Sequence, residues 1–195
     1  MPESGALISR LYGGDPSSFA RLAIETLDRY HGMANGHFTG DECVSGDSPV
    51  QGTELCGVVE AMYSYEQLLS ISGDPYWGDR LERLAFNALP ATISEDMWTH
   101  QYDQMTNQVQ CSRLPDGHVV FRTNSGESHL FGLEPNYGCC TANFNQAWPK
   151  FALSTYMRTP GGLASTIPIP SEVRIDIGGT EVKCKLETDY PFKNV

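Results

Sequence analysis

The feature that most constrains this chain is a pair of adjacent cysteines, Cys139 and Cys140, just ahead of a predicted helix over 141–157. A disulfide between neighbouring residues departs far from ordinary bridge geometry, so the two thiols are poor partners for each other. Both can face one metal ion without that strain. A position near a helix N-terminus also favours thiolate over thiol. The pair therefore predicts a metal site, with ordinary buried thiols as the alternative.

A second segment offers the ligands that such a pair lacks. Glu54 and Cys56 are two positions apart at the start of another predicted helix, over 53–72. Inside a regular helix they would diverge, but in a first turn that is not fully wound both can face one ion. Thiolate and carboxylate ligands suit zinc in a four-coordinate site. Because Glu-x-Cys alone is a weak motif, a Cys56 buried in the core remains the alternative.

The Gly-rich loop before Glu54 carries two adjacent carboxyl groups, Asp41 and Glu42. A loop carboxyl beside a metal–thiolate cluster is placed to act as general acid and base, and the alternative is a solvated loop carboxylate. The three tryptophans could stack on sugar faces, but Trp77 and Trp148 lie in helical stripes that place them in the core. His100, with Tyr102, lies in a polar stretch that could line a pocket.

Hydrophobic periodicity predicts a largely helical chain. The predicted helices cover 17–31, 53–72, 76–89 and 141–157, the second and third forming an αα-hairpin. Pro149 should kink the last helix or mark a restart. A strand is predicted at 118–122. The composition changes at 159–162, beyond which alternating apolar residues around Gly178 and Gly179 predict a β-hairpin.

Charge and cysteine content exclude several classes of function. The formal net charge of −11 excludes nucleic acid and anionic membranes as partners, whereas a neutral partner such as a sugar remains compatible. No apolar run approaches the roughly 20 residues of a membrane span. The first residues lack the pattern of a signal peptide, which slightly favours a reducing cytoplasm. The 6 cysteines are too few and too uneven for a disulfide scaffold, and the adjacent pair opposes bridges in a secreted protein.

Together, these motifs resemble glycoside hydrolase family 127, the β-L-arabinofuranosidase family. The resemblance runs from about residue 5 to the C-terminus, and its most specific element is Glu-x-Cys followed far downstream by Gly-Cys-Cys. The segments that carry it are GHFTGDE (36–42), QGTELCGVVEAMYSYEQLL (51–69), DRLERLAFNALPATIS (79–94), MWTHQYDQMTNQV (97–109) and FGLEPNYGCCTANFNQAWPKF (131–151).

The resemblance implies an (α/α)6 barrel followed by a β-sandwich. Twelve helices need on the order of 300 residues, and the sequence predicts four, so the chain is expected to be an internal fragment of a longer protein. We expect the C-terminal part of the barrel in residues 1–158 and the first strands of the sandwich in 159–195. A fragment of this size is not necessarily active alone.

The resemblance also implies a retaining glycosidase whose nucleophile is a zinc-bound cysteine. By motif, the zinc ligands are Glu54, Cys56, Cys139 and Cys140, and Cys139 is also the nucleophile. Glu42 matches the family's acid/base, with Asp41 as the fallback. Glu82 and Tyr102 match sugar-contacting positions. The expected substrate is a carbohydrate that releases β-L-arabinofuranose. The competing interpretation is an inert fragment, or a carbohydrate-binding or interaction module, with a purely structural zinc site.

Overall fold

The computed structural model describes residues 3–118, 120–121, 124, 126–132, 137–190 and 192–193. Within these ranges the α-helices are α1 (Ser4–Tyr12), α2 (Ser18–His31), α3 (Leu55–Ser72), α4 (Pro75–Arg83) and α5 (Gly138–Ser154). The strands are β1 (Gly52–Glu54), β2 (Asp103–Met105), β3 (Tyr156–Thr159), β4 (Gly162–Ser165), β5 (Ser171–Ile177) and β6 (Thr180–Leu186). They form three antiparallel pairs, β1–β2, β3–β4 and β5–β6.

The four predicted helices are confirmed, with shifted ends. The third begins at Pro75, where Asp74 caps it by accepting a hydrogen bond from the Tyr76 amide, and α4 continues as a π-helical turn, Leu84–Ala88. The last predicted helix, α5, begins at Gly138, three residues earlier than predicted, so the adjacent cysteines lie inside its first turn. It runs unbroken through Pro149, which excludes a restart there. The sequence did not predict α1.

The predicted C-terminal hairpin is confirmed. Strands β5 and β6 pair from Ser171↔Leu186 to Ile177↔Thr180, and the turn uses Gly178 and Gly179, both with positive φ. The strand predicted at 118–122 lies partly outside the described residues, and the described residues 118, 120 and 121 belong to no strand. The boundary proposed at residues 158/159 falls within β3, which starts at Tyr156, and the division into two domains remains a prediction.

Helix α3 is the centre of the core. Its predicted apolar stripe is buried, and α4 packs on one side of it and α5 on another. The fully buried Trp77 of α4 stacks on Tyr65 of α3 with ring centroids 5.7 Å apart. Arg80 binds Asp28 through two hydrogen bonds of 2.6 and 2.8 Å, which joins α4 to α2.

The described part of the chain therefore combines a helical core with short antiparallel strand pairs, and helix accounts for the larger share. None of its helices has the length and the apolar character that crossing a membrane requires.

Candidate metal and active site

The site lies where the N-termini of α3 and α5 meet. The two helices pack side by side and in the same direction, because contacts recur along both in step. Gln146 donates to Glu60 at 3.3 Å, and the Lys150 Nζ lies 4.2 Å from the centre of the Tyr63 ring. Both N-termini therefore place their partial positive charge at the same end, where anionic side chains are stabilised.

Three cysteines converge at this end. The Sγ of Cys140 lies 3.6 Å from that of Cys56 and 4.0 Å from that of Cys139, and all three sulfurs lie within 4.8 Å of one another. Zinc–sulfur bonds of about 2.3 Å in a tetrahedron place sulfurs about 3.8 Å apart, so the observed spacing fits zinc. Cys140 is buried and Cys56 is half-buried, whereas Cys139 is exposed. Cys139 is thus the most exposed thiol of this cluster.

Glu54 lies beside this cluster because a small sheet holds it outside the helix. Its backbone is extended (φ −71°, ψ 135°), and it is the last residue of β1, opposite Asp103 of β2. The Glu54 amide donates to the Gly40 carbonyl at 2.9 Å, and the Gly40 amide donates to the Gly52 carbonyl at 2.9 Å. Glu54 and Cys56 therefore do not diverge as regular i, i+2 helical positions do, and the two side chains are close enough for each to shift the pKa of the other.

Burial and hydrogen bonds within the cluster shift the pKa values of these groups. Hydrogen bonding, chiefly from Cys140, lowers the pKa of Cys56 to about 6. Burial, and then the Cys56 thiolate, raise the pKa of Glu54 to about 8. The bond to Cys56 raises the pKa of Cys140, and burial raises that of Cys139. A divalent cation would favour the anionic form of every one of these groups, so the donor set is chemically suited to zinc.

The loop carboxyls differ in environment. Asp41 is buried and accepts a hydrogen bond from the Ser45 hydroxyl at 3.0 Å. Glu42 is exposed, has a positive φ of 85°, and accepts a hydrogen bond from the Tyr102 hydroxyl. It lies close enough to Glu54 to contribute to that residue's raised pKa. A strained backbone of this kind at a non-glycine residue often accompanies function.

Tyr102 is held firmly. Only 3% of it is exposed, its ring stacks on Tyr137 with centroids 4.3 Å apart, and its carbonyl accepts from the Leu55 amide at 2.8 Å. The first turn of α3 and the Glu42 carboxylate are therefore connected through this one residue.

Sequence reasoning missed Asp103, which is fully buried. Its Oδ2 accepts from Asn124 at 2.9 Å, and its Oδ1 has no hydrogen-bond partner among the described residues. Burial, and then Asp41, raise its pKa to about 9. The only signal in the sequence is its position next to Tyr102, since burial of a carboxyl cannot be read from a polar stretch.

Glu82 lies in a different place from the other predicted site residues. It accepts a hydrogen bond of 2.5 Å from the Tyr190 hydroxyl and lines a cavity of about 1060 Å³ that α4 and α5 share with residues near the C-terminus. Tyr102 lines another cavity, and the two cavities share no lining residue. The structure thus brings together Glu42, Glu54, Tyr102 and the three cysteines, and places Glu82 elsewhere.

No protein-family model matches the sequence, and no curated protein matches it either. A solved structure does: that of a GH127 β-L-arabinofuranosidase from Geobacillus stearothermophilus T6, with a TM-score of 0.71 and 16% sequence identity. The match covers 97% of this chain and 30% of that one. This chain has the fold of part of that enzyme. At this identity the likeness concerns the fold alone, and the chain spans about a third of the matched structure.

Proposed function

We propose that this chain forms the nucleophile-bearing part of a zinc-dependent retaining glycoside hydrolase that releases β-L-arabinofuranose. The observation that carries the proposal is the position of Cys139. It is the exposed member of a three-cysteine cluster in the first turn of α5. The fold shared with a protein named as a β-L-arabinofuranosidase supports the choice of sugar.

The proposed zinc ligands are Glu54, Cys56, Cys139 and Cys140. The sulfur spacing of 3.6 and 4.0 Å and the mutual effects of Glu54 and Cys56 on each other's pKa support this set. When bound, zinc would favour the thiolate form of Cys139 at neutral pH.

In the first step, the Cys139 thiolate attacks the anomeric carbon of the sugar. Glu42 donates its proton to the departing glycosidic oxygen, and a thioglycosyl bond to Cys139 replaces the glycosidic bond. Tyr102 orients Glu42 through its hydroxyl, which explains why a solvent-exposed carboxylate can hold a defined position.

In the second step, Glu42 removes a proton from water and the water oxygen displaces the Cys139 sulfur. Two inversions at the anomeric carbon leave its configuration retained. The buried Asp41, which is engaged with Ser45, is less suited to this role than Glu42.

The architecture of the whole protein is part of the proposal. We infer that residues 1–158 contribute to an (α/α)6 barrel and that 159–195 begin a β-sandwich. The match to 30% of a GH127 structure supports both. Sugar-contacting roles for Tyr102 and Glu82 belong to the same proposal. The role proposed for Glu82 requires that the 1060 Å³ cavity be part of the substrate site in the longer protein.

The test combines metal analysis with hydrolysis of an aryl β-L-arabinofuranoside. We expect one zinc per chain. We also expect release of arabinose with retained anomeric configuration, by this chain or by a longer protein that contains it. Zinc without hydrolysis in the longer protein would instead favour a structural metal site in a carbohydrate-binding module. Absence of zinc would overturn the ligand assignment.

A further inference from the structure

Two cavities share the lining residue His100, whose Nε2 bonds to Thr141 in the first turn of α5. The first, of about 180 Å³, is lined by Tyr102 and its stacking partner Tyr137. The second, of about 170 Å³, is lined by Trp98, Phe144 and Asn145 and is called the Trp98 cavity below. His100 lines both. His100 is therefore shared between the Trp98 cavity and the cavity that Tyr102 lines, and the Tyr102 hydroxyl donates a hydrogen bond to Glu42.

Trp98 differs from the other tryptophans in its exposure. It is 69% exposed, whereas Trp77 is 0% exposed and Trp148 is half-buried in the core. An indole packed on a protein core is stabilised because its apolar area is removed from water. Most of the Trp98 indole stays in water, so it contributes little of that stabilisation. Its exposure therefore has no basis in the packing of the described residues.

The loop that presents Trp98 is held by hydrogen bonds. Ser94 and Thr99 close it with an amide-to-carbonyl bond of 2.9 Å, and the Asp96 carboxylate accepts from the Trp98 amide at 3.1 Å. Met97 has a positive φ of 59°, an uncommon conformation for a non-glycine residue. The backbone that carries the indole is therefore held in place before any ligand binds, so binding loses less conformational entropy.

The lining of the Trp98 cavity indicates the chemistry of its ligand. None of the eight described residues that line it is Asp, Glu, Lys or Arg. His100 is 9% exposed, its Nε2 bonds to the Thr141 hydroxyl at 2.8 Å, and its Nδ1 has no partner among the described residues. An aromatic platform with uncharged hydrogen-bonding groups matches a neutral ring that has an apolar face and hydroxyl edges.

We infer that the Trp98 cavity is the subsite for the leaving-group sugar, with Trp98 stacking on the ring and His100 and Asn145 bonding its hydroxyls. This inference rests on the proposed function and specifies it, since it makes a neutral glycoside the preferred substrate. Thr141, which lines the cavity, lies in the first turn of α5 with Cys139, so the subsite and the proposed nucleophile are at the same end of that helix.

The test is binding of arabinobiose, measured by calorimetry in a Cys139→Ser background so that no turnover occurs. Trp98→Ala should weaken binding about tenfold, because stacking contributes on the order of 1 kcal/mol beyond the buried area. Trp98→Tyr should retain most of the affinity. Tyr12→Ala, which removes an 84% exposed aromatic elsewhere, should leave the affinity unchanged. Galacturonic acid should bind more weakly than galactose, because the described lining of the Trp98 cavity has no Lys or Arg to pair with its carboxylate.

Equal affinity of the Cys139→Ser chain with and without Trp98→Ala would overturn the subsite, as would an absence of binding to the Cys139→Ser chain. These results are independent of the proposed function, because the assay requires no turnover. Trp98-dependent binding in a protein that never hydrolyses aryl arabinofuranosides would retain the subsite and overturn the function. Hydrolysis of aryl arabinofuranosides, together with binding that does not depend on Trp98, would retain the proposed function and overturn the subsite.

Discussion

The Sγ atoms of Cys56 and Cys140 lie 3.6 Å apart, although 84 positions separate the two cysteines in the chain. The contact exists because α3 and α5 run in the same direction and begin at the same level. A metal bound at this point would join the two helices that form the centre of the core. Metal binding and folding should therefore be coupled.

The first prediction concerns metal and stability. Zinc should raise the melting temperature, and a ligand at 100 times its Kd stabilises the folded state by about 2.7 kcal/mol. Cys56→Ala and Cys140→Ala should lose zinc and this increment. Cys184→Ala, in β6, should keep both. Melting with and without a chelator measures the effect, and equal zinc content in Cys56→Ala would contradict the assignment.

The second prediction separates the roles of the cysteines. Cys139→Ser in the intact enzyme should abolish turnover, a loss of more than about 1,000-fold, because a serine hydroxyl is not ionised at neutral pH. Cys56→Ala should act mainly through loss of zinc. Cys43→Ser, which changes the exposed thiol next to Glu42, serves as the matched control and should keep full activity. Full activity in Cys139→Ser would refute its role as nucleophile.

Much of this arrangement could be predicted from the sequence, because it depends on local patterns. The helices that carry Cys56 and Cys139 follow from apolar periodicity, and the C-terminal hairpin follows from alternation around two glycines. The convergence of the cysteines did not follow from periodicity. It was suggested by the chemistry of adjacent thiols and by the family resemblance.

The remaining features depend on tertiary contacts. Helix α1 was not predicted, because it has no apolar stripe that packs on the core. Among its described residues Ala6 is the only buried apolar one, and the exposed apolar ones are Leu7, Ile8, Leu11 and Tyr12. The burial of Asp103 comes from pairing with β1, which is three residues long. Glu82 lies apart from the cysteines because α4 turns it toward Tyr190, and its distance along the chain gives no indication of that.

The third prediction concerns the hydroxyl of Tyr102. Tyr102→Phe removes the donor to Glu42 and preserves the ring that stacks on Tyr137. We expect kcat to fall about 10- to 100-fold, in the range of a misplaced acid–base group, with little change in melting temperature. Tyr30→Phe, at a tyrosine that is 55% exposed, is the control and should be neutral. An unchanged kcat would mean that Glu42 needs no such positioning.

The fourth prediction concerns the close packing at Gly52. A Cβ at Gly52 would lie 2.9 Å from the Cγ of Asp103 and 3.1 Å from the Cβ of Asp41. Gly52→Ala should therefore destabilise the fold by about 1–3 kcal/mol and displace Glu54, which follows two residues later. Gly40→Ala in the same small sheet meets no atom within 4 Å and should cost less. Urea unfolding measures the free energy of unfolding of both variants, and an equal loss of stability in the two would contradict the steric argument.

The last prediction uses a buried carboxyl remote from the cysteines. Glu66 of α3 is 3% exposed, and its Oε1 has no hydrogen-bond partner among the described residues. Burial raises its pKa to about 7, against the opposing effects of a hydrogen bond from Ser154 and the charge of Lys150, both on α5. The folded chain therefore keeps a proton that the unfolded chain loses near pH 4.5.

The sign follows from proton linkage. Between pH 4.5 and about 7 the folded state binds more protons at Glu66, so its contribution to stability falls as pH rises and is constant above that range. Glu66→Gln should remove this fall, which makes the variant more stable than the parent chain by about 1–3 kcal/mol at pH 8. Glu60→Gln changes an exposed carboxylate of the same helix and should follow the parent chain. Urea unfolding at half-unit pH intervals measures the difference, and parallel curves for Glu66→Gln and the parent chain would show that Glu66 is ionised in the folded state.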